Sequence, residues 1–273
     1  MTQGVVVTGA SSGIGRAVAE RLAANGWQVF GTIRQAADGT ALQAVGVQPV
    51  QMDVTDHRAI AAARDQVLEA LGGTPLAGLV NNAGVAAAGP LEHMPLADLR
   101  HVLDVNVVGV VAVTQAFLPA LRCARGRVVN IGSVSGRVAL PFAGPYSASK
   151  FALEAISDSL RRELLPSGVQ VVLVQPGSIA TPIWEKVAAI DLRRYRDTSY
   201  AAVLSRVLER TLASGRRGLP ADTVATAVLA ALTQPRPPVR MLVVRRPWRT
   251  RLARWLPDRW LDRGVAKQLW GGA

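Results

Sequence analysis

Residues 5–15 read VVVTGASSGIG, a valine-rich run that leads directly into glycines at positions 9, 13 and 15. The run predicts a buried strand, and the glycines predict a tight turn that opens a helix. Such a turn lets backbone N–H groups approach a pyrophosphate, which the positive end of the helix dipole also favours. The spacing differs from the Gly-x-Gly-x-x-Gly of the general dinucleotide fingerprint. A glycine turn used only for packing therefore stays open.

Strand-like and helix-like patterns alternate along the rest of the chain, which predicts an α/β fold. The predicted strands are Val5–Thr8, Gln28–Ile33, Val47–Met52, Gly78–Asn81, Gly126–Ile131, Val169–Gln175 and Arg240–Val244. The predicted helices are Arg16–Asn25, Arg58–Leu71, Asp98–Leu121, Ser147–Leu164 and Ala221–Leu232. Because the strands are mostly continuous apolar runs, we expect one doubly wound parallel sheet of about seven strands with helices on both faces, a single-domain Rossmann-type fold.

The domain boundaries follow from where this alternation stops. We expect a catalytic domain over residues 1–244, in which residues 178–218 form an insertion that is too long for an ordinary connection and covers the substrate. Residues 245–273 form a basic, tryptophan-rich tail.

Composition favours an intracellular enzyme. The chain has 273 residues with 49% hydrophobic content and one cysteine, Cys123. A strand that begins almost at Met1 predicts no signal peptide, and the single cysteine favours a reducing compartment, so a cytoplasmic location is expected. The apolar stretch Val102–Leu118 contains Asp104 and Asn106, which favours a core helix over a membrane span.

A second motif, YSASK, occupies residues 146–150, and Ser133 lies thirteen residues before it. On a helix, Tyr146 and Lys150 share one face, so the ammonium group can stabilise a phenolate and let the tyrosine act as acid or base. Ser133 ends a predicted strand at the sheet edge where ligands bind, and its hydroxyl can hold a carbonyl oxygen. No metal is predicted, because no ligand partners lie at suitable spacing near His57, His93 and His101.

These motifs resemble those of the short-chain dehydrogenase/reductase family. The local sequences at residues 103–109, 115–119 and 151–154 resemble those of its 17β-hydroxysteroid and retinol dehydrogenases. The resemblance covers residues 4–182 in order and becomes thin beyond them. It implies that Asn106 kinks its helix and holds a water between Lys150 and solvent, that Ser133 binds the reacting oxygen and that Tyr146 transfers the proton. The cofactor contacts that the motifs imply are Gly9, Ser11, Ser12, Gly13, Ile14, Gly15, Arg34, Asp53, Val54, Asn82, Ala83, Gly84, Tyr146, Lys150, Pro176, Gly177, Ile179 and Thr181.

The choice of cofactor depends on the end of the second predicted strand. An acidic side chain there would accept hydrogen bonds from the ribose of NAD, but this position holds Ile33 and is followed by Arg34. A guanidinium suits a 2′-phosphate, so NADP(H) is favoured over NAD(H). Ser12 occupies a position where many NADP enzymes of this family carry a second basic residue.

The substrate is predicted to be a hydrophobic ketone or aldehyde, or the corresponding alcohol, because the expected lining is apolar and offers no convergent charged anchor. The predicted substrate contacts are Ser135, Leu140, Phe142, Ile183 and Trp184. No histidine follows His101, so the lid histidine of the steroid enzymes has no counterpart. An NAD-dependent alcohol dehydrogenase and a catalytically silent scaffold or sensor are the alternatives.

The tail carries much of the formal net charge of +12. Residues 236–267 hold ten Lys or Arg against Asp258 and Asp262, and four of the six tryptophans also lie in the tail. We expect Trp248, Leu252, Trp255 and Leu256 to form one apolar stripe with Arg249, Arg251 and Arg254 outside it. The tail can pack on protein or lie on an anionic inner membrane surface. A homodimer or homotetramer is expected, and no nucleic-acid partner.

Overall fold

A computed structural model describes residues 2–253 and 255–271, without the side chains of residues 186, 249 and 253. The strands in these ranges are β1 (Gly4–Val7), β2 (Gln28–Ile33), β3 (Val47–Gln51), β4 (Leu76–Asn81), β5 (Arg127–Ile131), β6 (Gln170–Pro176), β7 (Ile179–Ala180), β8 (Leu219–Pro220) and β9 (Arg240–Val243). The helices are α1 (Gly13–Ala24), α2 (Gly39–Gln43), α3 (His57–Leu71), α4 (Leu96–Leu103), α5 (Gly109–Ala124), α6 (Gly144–Glu163), α7 (Ile183–Ala188), α8 (Ala201–Arg216), α9 (Ala221–Thr233), α10 (Pro247–Ala253) and α11 (Asp258–Trp270).

Seven parallel strands form the main sheet, in the order β3-β2-β1-β4-β5-β6-β9. The chain runs outward from β1 to β3 and then returns to the other side of β1 through β4, so the strand order reverses between β1 and β4. Ligands bind outside the carboxyl ends of the strands at such a reversal. The predicted doubly wound sheet is therefore confirmed, and its topology locates a ligand cleft.

The core lies on both faces of the sheet, because successive strand residues point to opposite sides and both sides are apolar. Val5 and Val7 belong to the cluster under α1 and α9, whereas Val6 belongs to the cluster under α3 and α5. All three valines have no exposed surface. Burial on both faces explains why the strands appear in the sequence as continuous apolar runs instead of alternating patterns.

The predicted insertion at residues 178–218 contains regular secondary structure, and its second helix, α8, agrees with the helix-like apolar spacing of residues 200–212 in the sequence. Strands β7 and β8 pair with each other, and α7 and α8 lie between them. Tyr195 is 1% exposed and Tyr200 donates a hydrogen bond to Glu92 at 2.9 Å. We call residues 178–218 the lid, because these two tyrosines attach it to the segment that follows β4.

A continuous helical run, Leu96–Ala124, is long and apolar enough to cross a membrane by length and composition alone. It consists of α4, a π-helical segment at Asp104–Val108, and α5. Phe117 and Leu121 of α5 have no exposed surface and pack in the cluster beneath β4. These contacts support the prediction of a core helix, and the π-helical segment is the irregularity that the resemblance implied at Asn106.

The tail differs from its predicted form. Helix α10 ends at Ala253 and a turn follows, so Trp255 and Leu256 do not continue a stripe that begins at Trp248. The physical reason is Pro257, which disfavours a helical conformation in the residue before it and starts a new helix after it. Arg254, which the sequence placed beside this stripe, lies outside the described residues, as does the side chain of residue 249.

Candidate active site

The glycine turn forms a cradle at the carboxyl end of β1. Gly9 and Gly13 have φ angles of +66° and +60°, a region that favours glycine. A Cβ on Gly15 would overlap the Gly9 carbonyl and the Asn82 side chain, so the turn is packed too tightly for any other residue. Ser12 caps α1 without a side-chain hydrogen bond, and the first turn of this helix contains no acidic residue. Its N–H groups and dipole therefore suit a pyrophosphate.

Thr8 fixes the cradle, and the sequence analysis did not identify this role. Its hydroxyl accepts hydrogen bonds from the backbone N–H of Asn82 at 2.9 Å and of Ala83 at 3.0 Å. The Asn82 amide donates to the Thr8 and Gly9 carbonyls at 2.9 and 3.1 Å. Asn82 and Ala83 thus lie beside the cradle as predicted, and the Asn82 side chain holds the turn. In the sequence, the only indication of this role is that a threonine directly precedes the first glycine of the turn.

The end of β2 carries the two residues on which the predicted cofactor preference rests. Ile33 is buried, whereas the Arg34 side chain is exposed just beyond the strand. Asp53 accepts hydrogen bonds from the Thr55 backbone N–H and hydroxyl at 2.9 and 2.7 Å. These bonds hold the pKa of the Asp53 carboxyl below its usual value, and the Arg34 charge adds to the effect. The Arg34 charge and the Asp53 carboxylate therefore lie close enough to attract each other.

The predicted segment after β6 closes the other side of the cradle. Pro176 ends β6, Gly177 donates a backbone hydrogen bond to the Val243 carbonyl at 3.0 Å, and Ile179 is buried in β7. A Cβ on Gly13 would lie 3.3 Å from the Thr181 Cβ, so Thr181 faces the glycine turn directly. The same edge of the sheet thus brings together residues from β1, β4 and β6, and these residues fit a dinucleotide.

Ser133, Tyr146 and Lys150 converge beside this cradle, at the carboxyl end of β5. Pro145 lies in the first turn of α6, and the two motif residues follow on one face of that helix. The Lys150 Nζ lies 5.7 Å from the centre of the Tyr146 ring and donates a hydrogen bond to the Ile131 carbonyl at 2.8 Å. The Lys150 side chain therefore passes the Tyr146 ring and reaches β5, where the hydrogen bond to Ile131 fixes the position of its ammonium group.

Burial dominates the titration of this pair. Desolvation raises the pKa of Tyr146 above its ordinary value of 10.0, and a hydrogen bond with Ser133 partly opposes the change. Desolvation also lowers the pKa of Lys150 to about 8. The sequence predicted a tyrosine pKa lowered by Lys150, whereas in the structure burial raises the pKa of the phenol. The reason is that Lys150 donates to Ile131 and both groups lose hydration.

Asn106 lies in the π-helical segment and is almost completely buried. Its Oδ1 accepts from the Val85 N–H at 2.8 Å, and its Nδ2 donates to the Val85 carbonyl at 2.9 Å and to the Ser149 hydroxyl at 3.0 Å. Ser149 in turn donates to the Tyr146 carbonyl at 2.7 Å. Both amide hydrogens are thus used, and the side chain positions the start of α6. A water relay at Asn106 stays a prediction.

A buried ion cluster one turn beyond Lys150 was missed by the sequence analysis. The Glu154 carboxylate pairs with Arg137 at 2.6 Å and Arg240 at 2.9 Å, and Gln175 donates a further hydrogen bond to it. The cluster ties α6 to the loop after Ser133, to β6 and to β9. Its only sequence signal was an acidic residue on the buried face of the YSASK helix.

The predicted substrate contacts lie around the same cleft but differ in their surroundings. The Ser133 hydroxyl accepts a hydrogen bond from the Ser135 N–H at 3.1 Å, so the Ser135 backbone orients the Ser133 side chain. Phe142 has a φ of +66°. Its ring packs edge-on against the ring of Tyr200 of the lid, with 5.9 Å between the ring centres. Leu140 is exposed. Trp184 donates to the Ile179 carbonyl at 2.6 Å and packs on Gly215, so its ring connects parts of the lid. Ile183 precedes it at the start of α7.

Among residues 2–253 and 255–271, no three histidine, cysteine or acidic side chains gather as a metal site would require. His93 instead packs edge-on against Tyr200 at 6.0 Å.

The chain is similar to known proteins over most of its length. A family model described as short chain dehydrogenase matches residues 3–191. The chain is 38% identical over 273 residues to the NADPH-dependent 3-dehydrocapnine reductase of Ornithobacterium rhinotracheale, and the alignment covers 97% of this chain and 96% of that protein. It is 37% identical over 263 residues to human 17-beta-hydroxysteroid dehydrogenase type 1, covering 89% and 77%. Mouse retinol dehydrogenase 16 is 44% identical over 183 residues, covering 66% of this chain and 57% of that longer protein.

The solved structures agree with the observed fold. A short chain dehydrogenase/reductase from Burkholderia phymatum in complex with NAD superposes with a TM-score of 0.78, at 29% identity and with 92% of each chain covered.

Proposed function

This chain belongs to the short-chain dehydrogenase family and is an oxidoreductase acting on carbonyl and CH–OH groups, and from that premise we propose that it is an NADP(H)-dependent enzyme for hydrophobic substrates. It interconverts a ketone or aldehyde, of steroid, retinoid or fatty type, with the corresponding alcohol. The observation that carries the proposal is the convergence of Ser133, Tyr146 and Lys150 beside the glycine cradle.

The chain's residues hold the cofactor at the reversal of strand order. The N-terminus of α1 would hold the pyrophosphate, Thr181 would contact it from the other side of the glycine turn, and Arg34 would bind the 2′-phosphate. Burial of Ile33 supports NADP(H), because no carboxylate occupies the position that would bind the free ribose of NAD. The 3-dehydrocapnine reductase that is similar over nearly the whole chain is named as NADPH-dependent, which supports the same preference. When bound, the cofactor supplies the hydride.

Proton transfer is the task of the chain's own side chains. Tyr146 Oη donates its proton to the substrate oxygen during reduction and takes it back during oxidation. The Ser133 hydroxyl holds that oxygen by a hydrogen bond, and the buried Lys150 charge stabilises the phenolate that reduction leaves behind. Because burial raises the pKa of Tyr146, the phenol holds the proton that reduction of a carbonyl requires.

The substrate pocket lies between the segment after Ser133 and the lid. Phe142 and Tyr200 form a ring contact between these two segments, and Leu140 offers an exposed apolar side chain beside Phe142 in the sequence. Such a lining favours burial of a hydrophobic group over recognition of a charged one. The alternatives are an NAD-dependent alcohol dehydrogenase and a silent scaffold. Intact Ser133, Tyr146 and Lys150 argue against the scaffold.

Partners and location follow from the surface. Val108 and Phe151 are exposed apolar side chains on the long helix and on α6, which supports assembly into a homodimer or homotetramer through these helices. We place the enzyme in the cytoplasm, with residues 245–273 in peripheral contact with the inner membrane surface.

Measuring NADPH oxidation with steroid, retinoid, fatty and aryl carbonyl compounds tests the proposal, with the Tyr146→Phe protein as the blank. We expect turnover on at least one apolar class, none with the blank, and unchanged NADPH binding by both proteins. Activity in the Phe variant would refute the role of Tyr146. Absence of turnover on every class, despite NADPH binding, would favour the scaffold.

Cofactor preference is tested separately with Arg34→Ala. Loss of one charge-assisted contact should lower kcat/KM for NADPH by about 10- to 100-fold and leave kcat/KM for NADH nearly unchanged. The control is Arg122→Ala, an exposed arginine in the last turn of α5. A wild-type preference for NADH, or equal losses with both cofactors, would contradict the assignment of Arg34.

A further inference from the structure

Helix α11 of the tail lies against the lid on one face only. Its half-buried residues are Leu261, Val265 and Leu269, which repeat every four positions and define one stripe. The Arg210 guanidinium of α8 donates a hydrogen bond to the Gln268 carbonyl of α11 at 2.5 Å. The tail is therefore attached to the lid helix, and the opposite face of α11 points away from the protein.

The outward face of α11 is both basic and aromatic. At about 100° per residue, the positions opposite the half-buried stripe are those of three cations and two tryptophans. They are Arg259, Trp260, Arg263, Lys267 and Trp270. The side chain of Trp260 is 66% exposed and that of Trp270 is 51% exposed. The two acidic residues of this helix, Asp258 and Asp262, lie toward the stripe, so they do not neutralise the outward face.

The segment before α11 adds two exposed apolar side chains. Trp255 is 86% exposed and Leu252, at the end of α10, is 55% exposed. Exposing tryptophan and leucine side chains to water is unfavourable. Isolated apolar residues are common on protein surfaces, but four large ones in one short tail are unusual. Together with the outward face of α11, Leu252 and Trp255 form what we name the tail surface.

A basic cleft borders the tail surface where α8 meets the end of β9. It has a volume of about 540 Å³, and its lining includes the guanidinium-bearing residues Arg210, Arg217 and Arg245 together with Ser178 and Ser214. Within the part of the chain that the structure describes, none of the three arginines forms an ion pair with a carboxylate. Three such charges around one cleft repel each other and attract an anion.

We propose that the tail surface and the basic cleft dock the protein on an anionic lipid surface, with headgroup phosphates at the cations and the tryptophans at the interface. This inference extends the peripheral contact in the proposed function, but it does not depend on the redox reaction. Cations attract anionic headgroups and tryptophans are favoured at the membrane–water interface; α11 presents both on its outward face, while its leucine and valine stripe packs against the protein. Leu252 favours lipid over nucleic acid, because an exposed aliphatic side chain gains nothing from phosphates or from stacking on bases.

Docking would bring the lid to the membrane. Arg210 connects α11 to α8, and α8 belongs to the segment that covers the substrate pocket. An apolar substrate dissolved in the bilayer would then reach the protein at its lid.

Cosedimentation with vesicles tests the proposal, without cofactor, using phosphatidylcholine alone and phosphatidylcholine with about 30% phosphatidylglycerol. We expect binding to the anionic vesicles only, weakened by salt. Arg263→Gln with Lys267→Gln should reduce the partition coefficient by roughly 30-fold, since each cation near an anionic surface contributes about a fivefold effect. Trp255→Ser with Trp260→Ser should reduce it by about tenfold.

The matched control is Arg122→Gln with Arg162→Gln, which removes two exposed cations at the last turns of α5 and α6. This control should bind vesicles like the wild type. The proposal is overturned if the control loses as much binding as the tail variants, if wild-type protein ignores anionic vesicles, or if the tail binds single-stranded DNA in preference to them. Turnover of a soluble aldehyde should be equal in all variants, so a failed proposal on docking is distinguishable from a failed proposal on catalysis.

Discussion

Replacing Lys150 with methionine should stabilise the fold at neutral pH while it removes the charge that the reaction needs. Lys150 is 6% exposed, and its desolvation lowers the pKa to about 8 from an ordinary 10.5. Because a tenfold change in a dissociation constant corresponds to about 1.4 kcal/mol, the buried cation destabilises the folded state by roughly 3 kcal/mol at pH 7. Losing the hydrogen bond to the Ile131 carbonyl costs about 1 kcal/mol. A net gain of about 2 kcal/mol remains.

The sign of the pH dependence distinguishes this effect from ordinary packing. The folded state binds the Lys150 proton more weakly than the unfolded chain, so the destabilisation is fully present below pH 8 and disappears as the pH rises through 10.5. The melting temperature of Lys150→Met should therefore exceed that of the wild type by roughly 4 °C at pH 7, and the gap should close near pH 10.

Thermal melts followed by circular dichroism at both pH values measure this gap. Lys267→Met serves as the control, because Lys267 is exposed on α11 and its loss should leave the melting temperature unchanged at either pH. A Lys150→Met protein that melts below the wild type at pH 7 would refute the reasoning. So would a gap that stays constant with pH, since desolvation of the ammonium group would then not be its cause.

Two further predictions concern groups that position the site. Glu154→Leu leaves Arg137 and Arg240 without their shared carboxylate and should lower the free energy of unfolding by about 3 kcal/mol in urea titrations. An unchanged free energy of unfolding would show that the ion cluster does not stabilise the fold. Gly15→Ala should weaken NADPH binding by at least about 100-fold in fluorescence titrations, since its Cβ must displace the cradle, whereas Gly264→Ala, with open space around it, should bind normally.

The fold was predictable because its signals are local. The valine runs at β1, β5 and β6 are continuous in the sequence, and the structure confirms each strand within one or two residues. The family match confirms the resemblance that the glycine turn and YSASK motif carried. Parallel strands bring their carboxyl ends to one edge, so Ser133 could be expected near Tyr146 without any knowledge of side-chain contacts.

Long-range contacts could not be predicted in the same way. Glu154 and Arg240 are 86 residues apart, and nothing near either residue indicates the other. Tyr195 is buried because Gly89 leaves room for its ring, and Gly89 lies more than a hundred residues earlier. The raised pKa of Tyr146 also depends on burial by the whole site, which the spacing of tyrosine and lysine does not reveal.

Isotope transfer is the most direct test of the central claim, that the cradle holds NADPH while Tyr146 protonates a carbonyl. The protein would be incubated with NADPH deuterated at the transferable position of the nicotinamide C4 and a long-chain aldehyde, and the alcohol would be analysed by mass spectrometry. We predict one deuterium on the carbinol carbon with the wild type and almost no alcohol with Tyr146→Phe. Alcohol without deuterium, or equal labelled alcohol from both proteins, would contradict the account.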